Sequence, residues 1–120
     1  MTPEAALYQF LSGFDIPAYV TSSTPDEAEF PYLTYDPVIG EELEGEVSME
    51  VNLWYYTDSE AIPNAKVREI AASIGRGGRV LPYDGGAIWV KRGTPWAQSV
   101  TNSDNTMVKR RYLNIDLEYI

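Results

Sequence analysis

Asp116 and Glu118 are the two residues of this chain best spaced to act on a substrate together. They alternate with Leu113, Ile115, Leu117 and Tyr119 in a strand-like stretch, which puts both carboxyls on one face about 7 Å apart. An inverting glycosidase needs an acid and a base at roughly this separation, with a water between them. Any two strand residues two positions apart share the spacing, so solvent-facing charge is the stronger reading. Glu46 and Glu50 also share a strand face, but about 13 Å apart, too far to hold one proton between them. Asp26, Glu27 and Glu29 offer oxygens to a calcium ion without the alternating ligand pattern of a dedicated loop. A solvated loop explains them better. The chain has no histidine and no cysteine. It therefore lacks the usual neutral-pH acid–base group, thiolate chemistry and disulfides.

The glycine-rich run Gly75-Arg76-Gly77-Gly78-Arg79 has the look of an anion nest. It lacks the Lys-Ser or Lys-Thr ending of a phosphate loop, and it follows a helix and precedes a strand, the reverse of the required order. Lys109-Arg110-Arg111 is the strongest basic run. It could touch phosphate, but a protein contact suits an acidic chain better, for example with Glu41, Glu42 or Glu44 of another copy. Trp54 and Tyr56 share a strand face opposite Tyr55, and Trp96 lies in a polar stretch. Exposed aromatics of this kind anchor interfaces. Burial beneath a helix of the same chain would account for them equally well.

Charge is unevenly placed. Residues 1–65 hold thirteen acids and no base, residues 66–120 five acids and nine bases, and the net charge is −9. Such a balance opposes binding to nucleic acid through phosphate neutralisation, and binding to anionic membranes. If the split survives folding, copies attract head to tail. If strands of the two halves interleave, it is lost. No cofactor or metal is expected, and no run is apolar enough to span a membrane. No basic stretch followed by a hydrophobic run opens the chain, so no secretory leader is expected.

The elements that must position these groups read as one α+β domain over residues 1–120, with two helices packed on a mostly antiparallel sheet. A helix is expected over 3–13, with Leu7, Phe10 and Leu11 as its stripe, and a short extended piece at Ala18–Val20. Thr21–Glu29 reads as a loop and Phe30–Tyr35 as a strand. Gly40–Glu46, with Glu41, Glu42, Glu44 and Glu46, reads as an acidic loop. Glu46–Thr57 alternates as the clearest strand. A helix over 59–74 follows, with Thr57 and Glu60 at capping-box spacing and Val67, Ile70, Ala71 and Ile74 buried. Pro63 conflicts with a regular start at Asp58, so the helix begins nearer Ile62 or its first turn is distorted. Arg79–Tyr83 and Ala87–Arg92 flank Asp84-Gly85-Gly86 as a hairpin. Gly93–Asn105 reads as a long polar loop, and Met107–Ile120 as the last strand.

Several phrases occur in a telling order: Phe14-Asp15-Ile16-Pro17-Ala18-Tyr19, Phe30-Pro31-Tyr32-Leu33-Thr34-Tyr35 and Leu53-Trp54-Tyr55. Then come Gly85-Gly86-Ala87-Ile88-Trp89-Val90-Lys91-Arg92-Gly93, Pro95-Trp96-Ala97-Gln98 and Arg110-Arg111-Tyr112-Leu113-Asn114-Ile115. Together they resemble the tail terminator, or tail completion, family of minor structural proteins of long-tailed bacteriophages. The resemblance implies a non-enzymatic virion protein of the phage tail or neck, assembled in the host cytoplasm. Terminators of this kind form a hexameric ring that caps the tail tube, stops its polymerisation and joins the head–tail connector. The genome passes through the hole without specific binding. A neighbouring role, as a head-completion or connector adaptor protein, shares these features. The resemblance makes Glu41, Glu42, Glu44, Glu46, Lys109, Arg110 and Arg111 candidates for the lumen or the subunit contacts. Trp54, Tyr56 and Trp96 become candidate aromatic anchors. The stretches Thr21–Glu29 and Thr94–Asn105 become candidate loops toward the tube or the connector.

Overall fold

Thr2 caps the first helix, its Oγ1 accepting from the Ala5 amide at 3.1 Å, with Pro3 in the first turn where no amide is needed. That helix, α1 (Pro3–Leu11), buries Ala6, Leu7, Phe10 and Leu11 and stops two residues short of Gly13. A computed structural model describes residues 1–37, 45–101 and 104–120. Asp15, at φ 64°, redirects the chain into β1 (Ala18–Val20). A single 3-10 turn at Thr21–Ser23 opens the expected loop. Next comes β2 (Tyr32–Tyr35), which starts after Pro31 and not at Phe30. The longest central strands are β3 (Glu46–Tyr56) and, at the chain end, β6 (Val108–Tyr119). Between them lie α2 (Ala61–Ile74), β4 (Arg79–Tyr83) and β5 (Gly86–Thr101).

The six strands among the described residues form one sheet in the order β1-β2-β3-β6-β5-β4. It is mostly antiparallel, as expected, but mixed, because β1 runs parallel to β2. Both helices pack on one face. Leu7, Leu11, Ile70 and Ile74 join Leu33, Met49, Val51, Leu53, Leu81, Ile88, Leu113, Ile115 and Leu117 in a single buried core. Each such aliphatic side chain contributes about 1.5–3 kcal/mol through burial. The period-2 alternation of β3 and β6 thus separates a helix-covered face from a bare one. Val67 and Ala71 of the expected stripe are only half-buried, and Pro63 is buried in their place.

The expected loop at Gly93–Asn105 is a correction. β5 continues as strand to Thr101, with a register shift: Arg92 pairs with Ile115 and Ala97 with Leu113, so residues 93–96 span the one position of Asn114. This bulge is held by Asn114 Nδ2 donating to the Pro95 carbonyl at 2.8 Å. Glycine is needed at 93, since a Cβ there would lie 2.8 Å from Asn114 Cβ and 2.9 Å from its carbonyl oxygen. The run misled sequence reading because beyond the bulge it shows little apolar alternation; β6 supplies the ladder that makes it a strand. The capping box is also corrected. Thr57 Oγ1 accepts from the Ser59 amide at 3.1 Å, and the Glu60 side chain makes no cap bond.

Candidate interface surfaces

The bare sheet face has two unlike ends. On β3 it carries Glu46, Ser48, Glu50, Asn52, Trp54 and Tyr56, opposite Glu118, Asp116, Asn114, Tyr112, Arg110 and Val108 of β6. At the acidic end Glu46 and Glu118 face each other directly, an arrangement that repels unless a cation intervenes. Lys91 Nζ supplies it, 3.3 Å from Glu46 and 3.6 Å from Glu118, and lies 4.1 Å from the Trp89 ring centroid. Ser48 Oγ donates to Asp116 Oδ1 at 3.0 Å, and the Tyr112 hydroxyl donates to Glu50 Oε1 at 3.0 Å. Desolvation first, then the bond to Glu50 and its charge, raise the Tyr112 pKa above its ordinary value. Asp116 and Glu118 therefore hold separate partners on an open face. The spacing of a carboxylate pair is present; the shared cleft that would make it catalytic is not formed by these two residues.

The other end is aromatic. Tyr32 stacks on Trp54 at 6.4 Å between centroids and meets Tyr19 edge-on at 6.0 Å. Phe30 contacts both Tyr32 at 5.4 Å and Tyr56 at 5.7 Å. The Trp54 Nε1–H donates to Thr34 Oγ1 at 3.0 Å, so the buried hydroxyl is satisfied. Arg110 lies over Trp54 at 5.1 Å and donates from Nε to Asn52 Oδ1 at 2.8 Å. Tyr56 remains 53% exposed and Phe30 40%. Trp54 and Tyr56 thus belong to one aromatic row, in which Trp54 is half-buried and Tyr56 exposed. Sequence reading missed Tyr19, Phe30 and Tyr32, which join it through the pairing of Tyr32 with Trp54 in β2–β3 and of Tyr19 with Thr34 in β1–β2. The available signal was an aromatic on each of three predicted extended pieces. Trp96 is elsewhere, half-buried against the helix-side core, its indole N–H without an acceptor among the described residues.

The basic run 109–111 does not form one surface, because successive strand residues point to opposite faces. Arg111 is 4% exposed. It donates to Asn64 Oδ1 at 2.9 Å, Ser99 Oγ at 3.2 Å, the Arg110 carbonyl at 3.2 Å and Glu60 Oε2 at 2.5 Å. It ties α2 and β5 to β6 and is an internal tie, not the outward charge that a subunit contact needs. Lys109 donates to the Thr106 carbonyl and sits 3.9 Å from Glu60 Oε1. Only Arg110 reaches the bare face. On the acidic side, Glu46 is exposed at the start of β3, while Glu41, Glu42 and Glu44 lie outside the described residues. Among the described residues, no three His, Cys, Asp or Glu converge as a metal site would require, and no helix is long and apolar enough to cross a membrane.

No protein-family model matches this chain, and neither a curated protein nor a solved structure matches it significantly.

Proposed function

We propose that this chain is a virion structural protein of a long-tailed phage, a terminator that assembles as a hexameric ring on the tail tube. The ring stops tube growth and offers its far side to the head–tail connector. One observation carries the reading beyond the sequence resemblance: a bare sheet face that is acidic at one end and aromatic at the other. Phe30, Tyr32, Trp54 and Tyr56 suit a protein contact, since large rings desolvated together supply most of an interface's energy. Glu46, Glu50, Asp116 and Glu118 outnumber Lys91 at that end and suit a surface past which DNA slides, since the excess of carboxylates repels phosphate. In this reading the chain performs no reaction and needs no cofactor.

The test is polymerisation of the cognate tail-tube protein with and without this chain, viewed by electron microscopy. Tubes of limited length with extra density at one end support the terminator. Unaltered tube length together with binding to the connector would replace it with the neck adaptor.

A further inference from the structure

The two borders of the sheet carry opposite charge. β1 and β2 come from the base-free part of the chain, and they end the sheet on one side. Asp26, Glu27 and Glu29 lie exposed in the connection between them, and Asp36 follows β2. None of these four has an ion-pair partner among the described residues. At the other border β4 pairs with β5 only from Gly86 to Val90. From Lys91 to Thr101, β5 has a strand neighbour on its β6 side alone among the described residues, which leaves its outer backbone edge without a pairing strand there. Arg76, Lys91 and Arg92 line a depression of about 470 Å³ at that edge, together with Gly93, Thr94 and Trp96. Lys91 is engaged by Glu46 and Glu118, whereas Arg76 and Arg92 are exposed and lack an acidic partner among the described residues. Among the strands the two halves of the chain meet only where β3 pairs with β6, so the strand order keeps the sequence charge split as a dipole along the sheet, although α1 of the first half packs beside β4.

We propose that the open edge of β5, with Arg76 and Arg92, receives the acidic β1–β2 border of a second copy. Each chain then offers one border to each of two neighbours. Such a heterologous contact closes into a ring or extends as a filament, and an isologous pair cannot use it. Opposite charges set the orientation, since acid against acid or base against base repels. An unpaired strand edge adds main-chain donors and acceptors to the charges. The proposal rests on the ring reading above and supplies the subunit contact for which the sequence had put forward Lys109, Arg110 and Arg111.

The experiment is sedimentation of the chain alone over a concentration series at about 20 mM and about 500 mM salt. The wild type associates at low salt and dissociates at high salt. R76E/R92E and E27K/E29K each raise the concentration for half-association by about tenfold or more. An equimolar mixture of the two recovers association, because each reversed border then meets its complement. A wild type that stays monomeric at low salt, variants that associate unchanged, or a mixture without recovery overturns the contact. Tube capping by the same proteins separates the two ideas. Capping that survives R76E/R92E sinks the contact and keeps the terminator. Edge rescue without any capping keeps the contact and sinks the terminator.

Discussion

Arg111 is the residue whose role changed most between sequence and structure. Its type and its place in a basic run were plain, but its partner Glu60 lies 51 positions away and no local rule joins them. The alternation of a strand could have separated Arg111 from Arg110; the distance to Asn64 and Ser99 could not be read. Its burial makes a specific asymmetry. Glu60, 61% exposed on its side chain, is cheap to leave alone, whereas Arg111 is not. Glu60→Ala removes a charge-assisted bond from a buried cation and is expected to lower stability by about 1.5–3 kcal/mol. Arg111→Met removes the buried charge itself and is expected to cost less, since an apolar side chain of similar reach fills the site. Denaturant titration of the two variants checks the order; Arg111→Met as the more damaging change would show that the network is net stabilising.

At the scale of elements, β3, β6 and the β4–β5 hairpin were legible because alternation and turn chemistry both pointed to them. The extension of β5 was not, since Gly93 to Thr101 is polar and broken by Pro95 and makes sense only against β6. The parallel pairing of β1 was equally hidden, as three residues carry no register of their own. The bulge gives a direct test. Gly93→Val has no room beside Asn114 and is expected to cost about 1–3 kcal/mol, read as a lower denaturant midpoint. A Gly93→Val variant as stable as wild type would mean the bulge does not pack as described. The aromatic row makes a different prediction. Tyr56→Ser removes an exposed ring, so stability should hold within about 0.5 kcal/mol while partner binding weakens by about tenfold or more. Binding to tube or connector protein, measured beside the melting curve, separates these effects.

For the molecule as a whole, four tyrosines contribute to the loss of stability at alkaline pH. Burial, reinforced by neighbouring tyrosines or by acids, raises the hydroxyls of Tyr32, Tyr35, Tyr55 and Tyr112 above 10.0. The folded state then holds protons that the unfolded chain loses first. Their contribution is complete below about pH 10 and is lost as pH rises through the higher folded values. Denaturant midpoints should stay level up to about pH 9.5 as far as these groups are concerned and fall above it, with a shallower fall in Tyr35→Phe and Tyr55→Phe. The charge division was visible in the sequence from the start, but its survival was not, because strand order decides it. With β1–β2 at one border and β4–β5 at the other, it survives in the order of the strands, while α1 crosses to pack beside β4. The role we propose for this chain is to end a tail tube. Electron microscopy of the tube protein polymerised with the purified chain tests it most directly: limited tubes bearing a six-fold ring at one end are expected, and tubes of unrestricted length with no chain bound would contradict it.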